Sequence, residues 1–230
     1  DIYPTHESYN EAFLQFFNQS KEIIAHPEDM QKITEADDSV EDEFDIVSSL
    51  TLPGLVNRQN AQLVVEGLHR LRIAPLQQLV NLINQFPGVS RRFEKLIDNV
   101  YTDYAHTPEK IEGALQLAHE VADDNVVVVY EGLHNTRQHF IKKQLETLFN
   151  DVKKLYIVPS YRAREDEDLE DLTPEKLAEI ISKPDAIVPS QLDDELLTNI
   201  NKEAEDGNLV LCLTAGGAGS LDEWLRKQLL

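Results

Sequence analysis

Val126-Val127-Val128-Val129-Tyr130 is the stretch that decides the fold. Four consecutive β-branched residues without polar alternation suit a strand covered on both faces, as in a parallel sheet between helical layers. Outward from it, the spacing predicts further strands over 100–104, 154–158, 186–188 and 209–213. Helices are expected over 107–121, 137–149, from Thr173-Pro174-Glu175 onward, over 193–205 and over 220–229. Thr107 can cap the first of these, with Pro108 at its first position. This strand–helix alternation predicts an α/β, Rossmann-like domain with a parallel-type sheet and helices on both faces.

Before Gly88 the rhythm is different. A helix is expected over 9–18, with Phe13, Phe16 and Phe17 on one face, and short strands over 21–25 and 44–49. Gly54 should open a polar loop, Asn57-Arg58-Gln59-Asn60. A helix through Leu63, Val64, Leu68 and Leu71 then ends before Pro75, and a second carries Leu76, Leu79, Val80 and Ile83 inward. Phe86-Pro87-Gly88 breaks the pattern. The expected division is therefore 1–88, an incomplete tail of another domain, and 89–230, a complete α/β domain.

The 230 residues carry a formal charge of −21. Such an excess of carboxylates argues against binding a nucleic-acid backbone, and every apolar run is too short to cross a bilayer. With no positively charged leader and no initiator Met, the start resembles a cut or processing boundary. The lone Cys212, inside an apolar run, excludes a disulfide framework, fits a reducing cytoplasm and is expected in the core. Two acidic clusters, 35–45 and 164–171, are expected to be solvated loops, since neither has the Asp-x-Asp-x-Asp-Gly calcium frame.

In open α/β sheets, ligands collect at the carboxyl ends of the strands. Asp103-Tyr104-Ala105-His106-Thr107-Pro108 puts a carboxylate, a phenol and an imidazole there, before a helix N-terminus that favours anions. Asp103 suits ribose hydroxyls and His106 a carboxylate or phosphate, unless both only satisfy turn amides. Arg91 and Arg92 suit either a phosphate clamp or an interdomain ion pair. His134-Asn135-Thr136-Arg137 places Arg137 near a helix start, where an anionic partner would be useful. Gly216-Gly217-Ala218-Gly219 lets backbone N–H groups approach an anion, or is a plain tight turn. No Walker A loop, catalytic triad, zinc spacing or paired-carboxylate motif occurs, so neither a catalytic residue nor a metal ligand is assigned to this chain.

In order along the chain, these segments resemble the Mur ligases. Gly54-Leu55-Val56-Asn57-Arg58-Gln59-Asn60-Ala61 is similar to their Gly-x-His-Asn-x-x-Asn-Ala segment, with Val56 for the His. Gly88-Val89-Ser90-Arg91-Arg92-Phe93-Glu94 resembles the Gly-x-x-Arg-Arg-Phe-Glu of the alanine-adding branch. Asp103 to Pro108 resembles Asp-Tyr-(Gly/Ala)-His-(His/Thr)-Pro, with Ala105 and Thr107 nearer the branch that adds the third peptide residue. Thr136-Arg137 resembles the alanine branch's Tyr-Thr-Arg, although His134 stands where that branch has an Arg.

The resemblance implies part of an ATP- and magnesium-dependent ligase of bacterial, cytoplasmic peptidoglycan synthesis. That parent joins L-alanine to UDP-N-acetylmuramate through an acyl phosphate, with magnesium ligands outside this chain. It implies that residues 1–88 are the end of the central ATP-binding domain and that the chain alone is inactive. By position, Asn57, Asn60, Arg92 and Asp103 would contact ATP. Tyr104, His106, His134, Arg137, Gly217 and Gly219 would line the substrate and amino-acid side. The alternatives are a murein-peptide or other Mur ligase, or a non-catalytic nucleotide-binding or interaction domain.

Overall fold

The computed structural model describes residues 3, 5–34, 45–162, 165–182, 184 and 186–230. The chain divides into two compact units, Asp1–Phe86 and Pro87–Leu230.

The first unit is helical. α1 (His6–Gln19) starts with a capping box between Thr5 and Ser8, and α2 (Pro27–Thr34) follows. α3 (Leu55–Arg70) and α4 (Leu76–Ile83) pack around Leu50, Ala61, Val65, Leu79 and Val80. Residues 21–25 form no strand. In the expected strand over 44–49, Val47–Ser49 is a 3-10 turn and Phe44 lies outside the described residues. The expected polar loop at Asn57 to Asn60 is instead the start of α3. Gly54, at φ 86, makes the break on its own, and the Asn57 amide folds back to the Pro53 carbonyl at 2.9 Å.

In the second unit, the strands are β1 (Glu94–Ile97), β2 (Val100–Asp103), β3 (Val126–Leu133), β4 (Lys154–Tyr161), β5 (Ile187–Pro189) and β6 (Leu209–Leu213). They form one sheet in the order β1-β2-β6-β3-β4-β5, parallel except for β1. The connecting helices are α5 (Pro108–Ala122), α6 (Asn135–Phe140), α7 (Lys142–Leu148), α8 (Pro174–Ile180) and α9 (Asp194–Glu205), and α10 (Leu221–Leu229) ends the chain.

The valine run alternates between two cores. Val126, Val128 and Tyr130 meet Ile111 of α5, Leu145 of α7 and Leu177 of α8, while Val127 and Val129 meet Leu196 of α9 and Leu225 of α10. Each such side chain contributes about 1.5–3 kcal/mol when removed from water. Cys212 is fully buried on the second face, where burial raises its thiol pKa.

Three local expectations fail. β1 was not anticipated: it is a short antiparallel edge entered through Arg91 and Phe93, both at positive φ. The helix expected over 137–149 breaks at Ile141 into α6 and α7. Thr107 precedes α5 without a side-chain cap bond, whereas Thr173 does cap α8.

β2 and β6 are neighbours, yet α5 and α10, which follow them, cover opposite faces; the same holds for β6 and β3. The loop after β6 therefore sits between two switch points, where a crevice opens at the strand ends.

Candidate active site at the strand ends

Beyond β2, four side chains converge. The Arg92 guanidinium lies 5.8 Å from the Tyr104 ring centroid, and its Nη1 is 3.4 Å from the Tyr104 carbonyl and 4.0 Å from Asp103 Oδ1. The Tyr104 and His106 rings meet edge-on at 4.7 Å. A cavity of about 190 Å3 opens against Ser90, Arg91, Arg92 and Tyr104. A larger one, about 260 Å3, lies near Ser160, Arg162 and Gln191, and none of the expected site residues lines it.

Asp103 has a local partner: its Oδ2 accepts the Phe93 N–H at 2.8 Å, and burial raises its pKa. His106 Nδ1 lies 3.1 Å from the Tyr104 carbonyl, which can only accept, so Nδ1 carries the proton. Burial and then Lys110 lower the His106 pKa, and Arg137 and Arg92 add to this. Turn satisfaction thus accounts for much of both residues, and Nε2 is the His106 nitrogen left for a ligand.

The paired arginines divide their roles. Arg91 Nε is 2.9 Å from Oδ2 of Asp222, a fully buried side chain that also accepts from Thr102 Oγ1 at 3.1 Å and Arg226 Nε at 3.1 Å. Arg226 reaches on to Glu94 at 2.6 Å, and Glu94 accepts the Arg91 N–H at 2.7 Å. The ion pair suggested for Arg91 therefore lies within its own domain. Arg92, with its side chain 48% exposed, is the one held loosely enough to take a phosphate.

The glycine loop lies between two tyrosines. A β-carbon on Gly216 would come 2.6 Å from Tyr104, and one on Gly217 would come 2.5 Å from the Tyr161 hydroxyl; both glycines have positive φ. Gly219 meets nothing within 4 Å. Glu131, at the end of the valine strand, anchors the loop from below. Its carboxylate accepts from Thr214 Oγ1, the Ala215 N–H and the Leu221 N–H, each at 2.9 Å, and burial raises its pKa.

On the far side of the loop stand Tyr161 and His134, whose rings are 6.5 Å apart. His134 has φ 54, a costly conformation for a residue with a side chain, and its N–H bonds the Tyr161 carbonyl at 2.9 Å. Its Nδ1 is buried without a hydrogen bond, 3.9 Å from Glu165 Oε1. Arg137 is exposed on α6.

The acidic cluster over 164–171 is not simply solvated. Glu165 accepts the Thr136 N–H at 3.2 Å, and the Glu170 carbonyl accepts from Asn135 at 3.0 Å, so this segment clamps α6. Arg164 and the cluster over 35–44 lie outside the described residues.

The strand ends thus bring together Arg92, Asp103, Tyr104, His106, Gly217 and His134. Asn57 and Asn60 belong to the first unit, one turn apart and exposed on α3. Glu131, Tyr161, Glu165 and Asp222 were not singled out. A carboxylate straight after an apolar strand and another just past a glycine loop were the available signals for Glu131 and Asp222.

Arg92 and the Tyr104 ring fit a nucleotide: a cation for phosphate beside a stacking surface. Among the described residues, no group of His, Cys, Asp or Glu is placed to hold a metal ion. No described helix is long and apolar enough to cross a membrane.

Residues 91–216 match the family described as "Mur ligase, glutamate ligase domain". The UDP-N-acetylmuramate--L-alanine ligase of Rhizobium meliloti (strain 1021) is 31% identical over 191 residues, covering 78% of this chain and 39% of that protein. The protein of the same name from Rickettsia felis is 30% identical over 156 residues, covering 63% of this chain and 32% of that protein. The chain spans about two fifths of the length of the first of these relatives.

Among solved structures, the UDP-N-acetylmuramate-alanine ligase MurC of Thermotoga maritima aligns with a TM-score of 0.52 at 22% identity, over 73% of this chain and 36% of its own. The Mycobacterium tuberculosis folylpolyglutamate synthase complexed with ADP aligns with a TM-score of 0.50 at 18% identity, over 72% of this chain and 38% of its own. These two show a shared fold. With the family match spanning more than half of its length and ending in the glycine loop, the chain belongs to the Mur ligase family.

Proposed function

We infer that this chain is the carboxyl-terminal part of an ATP-dependent carboxylate–amine ligase of peptidoglycan synthesis, one that joins L-alanine to UDP-N-acetylmuramate. The observation that carries the reading is the pairing across the β2–β6 crevice. A loosely held cation over an aromatic ring, Arg92 over Tyr104, abuts a glycine loop whose two close approaches admit no side chain. The similarity to alanine ligases supports the choice of amino acid. The His134 departure makes another acceptor the rival within the same family.

In this reading Arg92 and Tyr104 hold the nucleotide, and Asp103 fixes the turn that carries them. The glycine loop and His134 border the acceptor, and Arg137 takes its carboxylate. ATP supplies the phosphoryl group that activates the sugar carboxylate, and the positive groups stabilise the charge that develops. Residues 1–88 are the end of the ATP-binding domain, and the 230-residue chain alone turns nothing over.

Mass analysis of the nucleotide-sugar product made by the full-length gene product tests this. Expected is UDP-N-acetylmuramate heavier by one alanine residue when L-alanine is supplied. Addition of a different amino acid or peptide would replace the alanine reading with that of a sister ligase, and no addition from folded protein would overturn the ligase reading.

A further inference from the structure

A loop with glycines at 216, 217 and 219, all at positive φ, has many conformations open to it on its own. It presents one fixed surface to a ligand only where both of its ends are fastened. Glu131 fastens both with a single buried carboxylate. Oε2 accepts from Thr214 Oγ1 and the Ala215 N–H, just before the glycines, and Oε1 accepts from the Leu221 N–H, just after them, each at 2.9 Å.

Thr214 extends this hold into the loop. Its Oγ1 accepts the Gly216 N–H at 3.1 Å and the Asp222 N–H at 3.4 Å. With both lone pairs engaged, its hydrogen points at Glu131, which therefore meets three donors, a set that only the ionised carboxylate satisfies. Burial raises the Glu131 pKa and the Asp222 charge adds to this, while the three donors act against the rise. The loop's bond from the Gly219 N–H to Glu223, at 3.0 Å, lies at the surface. The nucleotide side has fastenings of its own: Asp222 holds Arg91, and Asp103 accepts the Phe93 N–H. Gly217, in contrast, faces Tyr161 on the acceptor side.

We propose that Glu131 is a positioning residue for the acceptor: through Thr214, Ala215 and Leu221 it sets the glycine loop against Tyr161 and so shapes the acceptor end of the crevice. This rests on the ligase reading above and deepens it, dividing the site between two buried carboxylates. Asp222 serves the arginine turn that carries the nucleotide, and Glu131 serves the loop that borders the amino acid. Glu131 acts through the loop and on no reacting atom.

Two variants of the full-length gene product test this. Glu131→Gln keeps the shape of the side chain but sets amide hydrogens against the donors of Thr214 and Ala215 or of Leu221. Thr214→Val removes the hydroxyl that links Glu131 to Gly216. Steady-state kinetics are measured with ATP, magnesium, UDP-N-acetylmuramate and L-alanine, or the amino acid that the wild type uses in its place. Each variant should raise the KM for the amino acid about tenfold and leave the KM for ATP within about twofold. Amide hydrogen exchange over 215–221 should quicken about tenfold, with β3 unchanged. A purely structural role would lower kcat through the folded fraction and leave both KM values alone. If Glu131→Gln does not fold, Thr214→Val alone decides. An unchanged amino-acid KM, even with a loosened loop, or an equal rise in both KM values overturns the proposal. A folded wild type that turns over no amino acid overturns the ligase reading itself, and the positioning role with it.

Discussion

Asp222 Oδ2 lies 2.9 Å from Arg91 Nε, so a buried carboxylate in the first turn of α10 holds the arginine next to Arg92. The same carboxylate accepts from Thr102 of β2 and Arg226 of α10. It therefore ties the arginine turn, the strand and the helix after the glycine loop into one piece. Asp222→Ala leaves the Arg91 guanidinium and a buried hydroxyl without this acceptor, and Arg226 with Glu94 alone. The expected loss is about 1–3 kcal/mol, because what it leaves is an unsatisfied buried hydroxyl beside two partly exposed guanidinium groups. Arg91→Ala should cost less, because that side chain is 40% exposed. Denaturant unfolding followed at Trp224, the chain's single tryptophan, measures both.

The glycine loop gives an internally controlled series. Gly216→Ala and Gly217→Ala combine a left-handed backbone with close approaches to Tyr104 and Tyr161, whereas Gly219→Ala meets only the backbone penalty. The expected order of stability loss is Gly216 and Gly217 well above Gly219, whose cost is about 1–2 kcal/mol. Equal losses at all three positions would mean that the tyrosines move aside.

Acid stability should depend on Arg226. Its hydrogen bonds hold the Glu94 carboxyl at a pKa of about 2, below the ordinary 4.5. The folded chain releases this proton more readily than the unfolded one. The stabilisation is thus present above the ordinary glutamate range and is lost as pH falls from about 4.5 towards 2. Arg226→Ala should remove this part of the acid sensitivity. Unfolding free energies of the two proteins at about pH 5 and pH 3 will show it.

His106 should titrate below the ordinary histidine value of about 6.5, because burial and the nearby cations disfavour its charged form. An anion bound beside Arg92 should raise that midpoint, as should Arg92→Ala. Ring proton resonances followed through pH, with and without pyrophosphate, give the answer. A midpoint above 6.5 in the free chain would mean that the imidazole is not enclosed as described.

Most of the sheet was legible in the sequence, because long β-branched runs such as 126–130 leave few alternatives to a buried strand. β1 was not, since Glu94–Ile97 has mixed polarity and is paired only along an edge. The break at Ile141 was hidden because the buried positions Gln138, Leu145 and Phe149 keep a helical spacing across it. In the site, motif residues such as Arg92, Tyr104 and His106 were visible as local clusters. The residues that hold them in place were not. Asp222 meets Arg91 and Glu131 meets Leu221 across long stretches of chain, and a single sequence carries no record of such pairings.

The most direct test of the ligase account is phosphate release by the full-length gene product with ATP, magnesium and UDP-N-acetylmuramate, with each amino acid supplied in turn. The account predicts release that depends on L-alanine and falls sharply in Arg92→Ala. Folded protein that releases no phosphate with any acceptor, or an Arg92→Ala variant as active as the wild type, would contradict it.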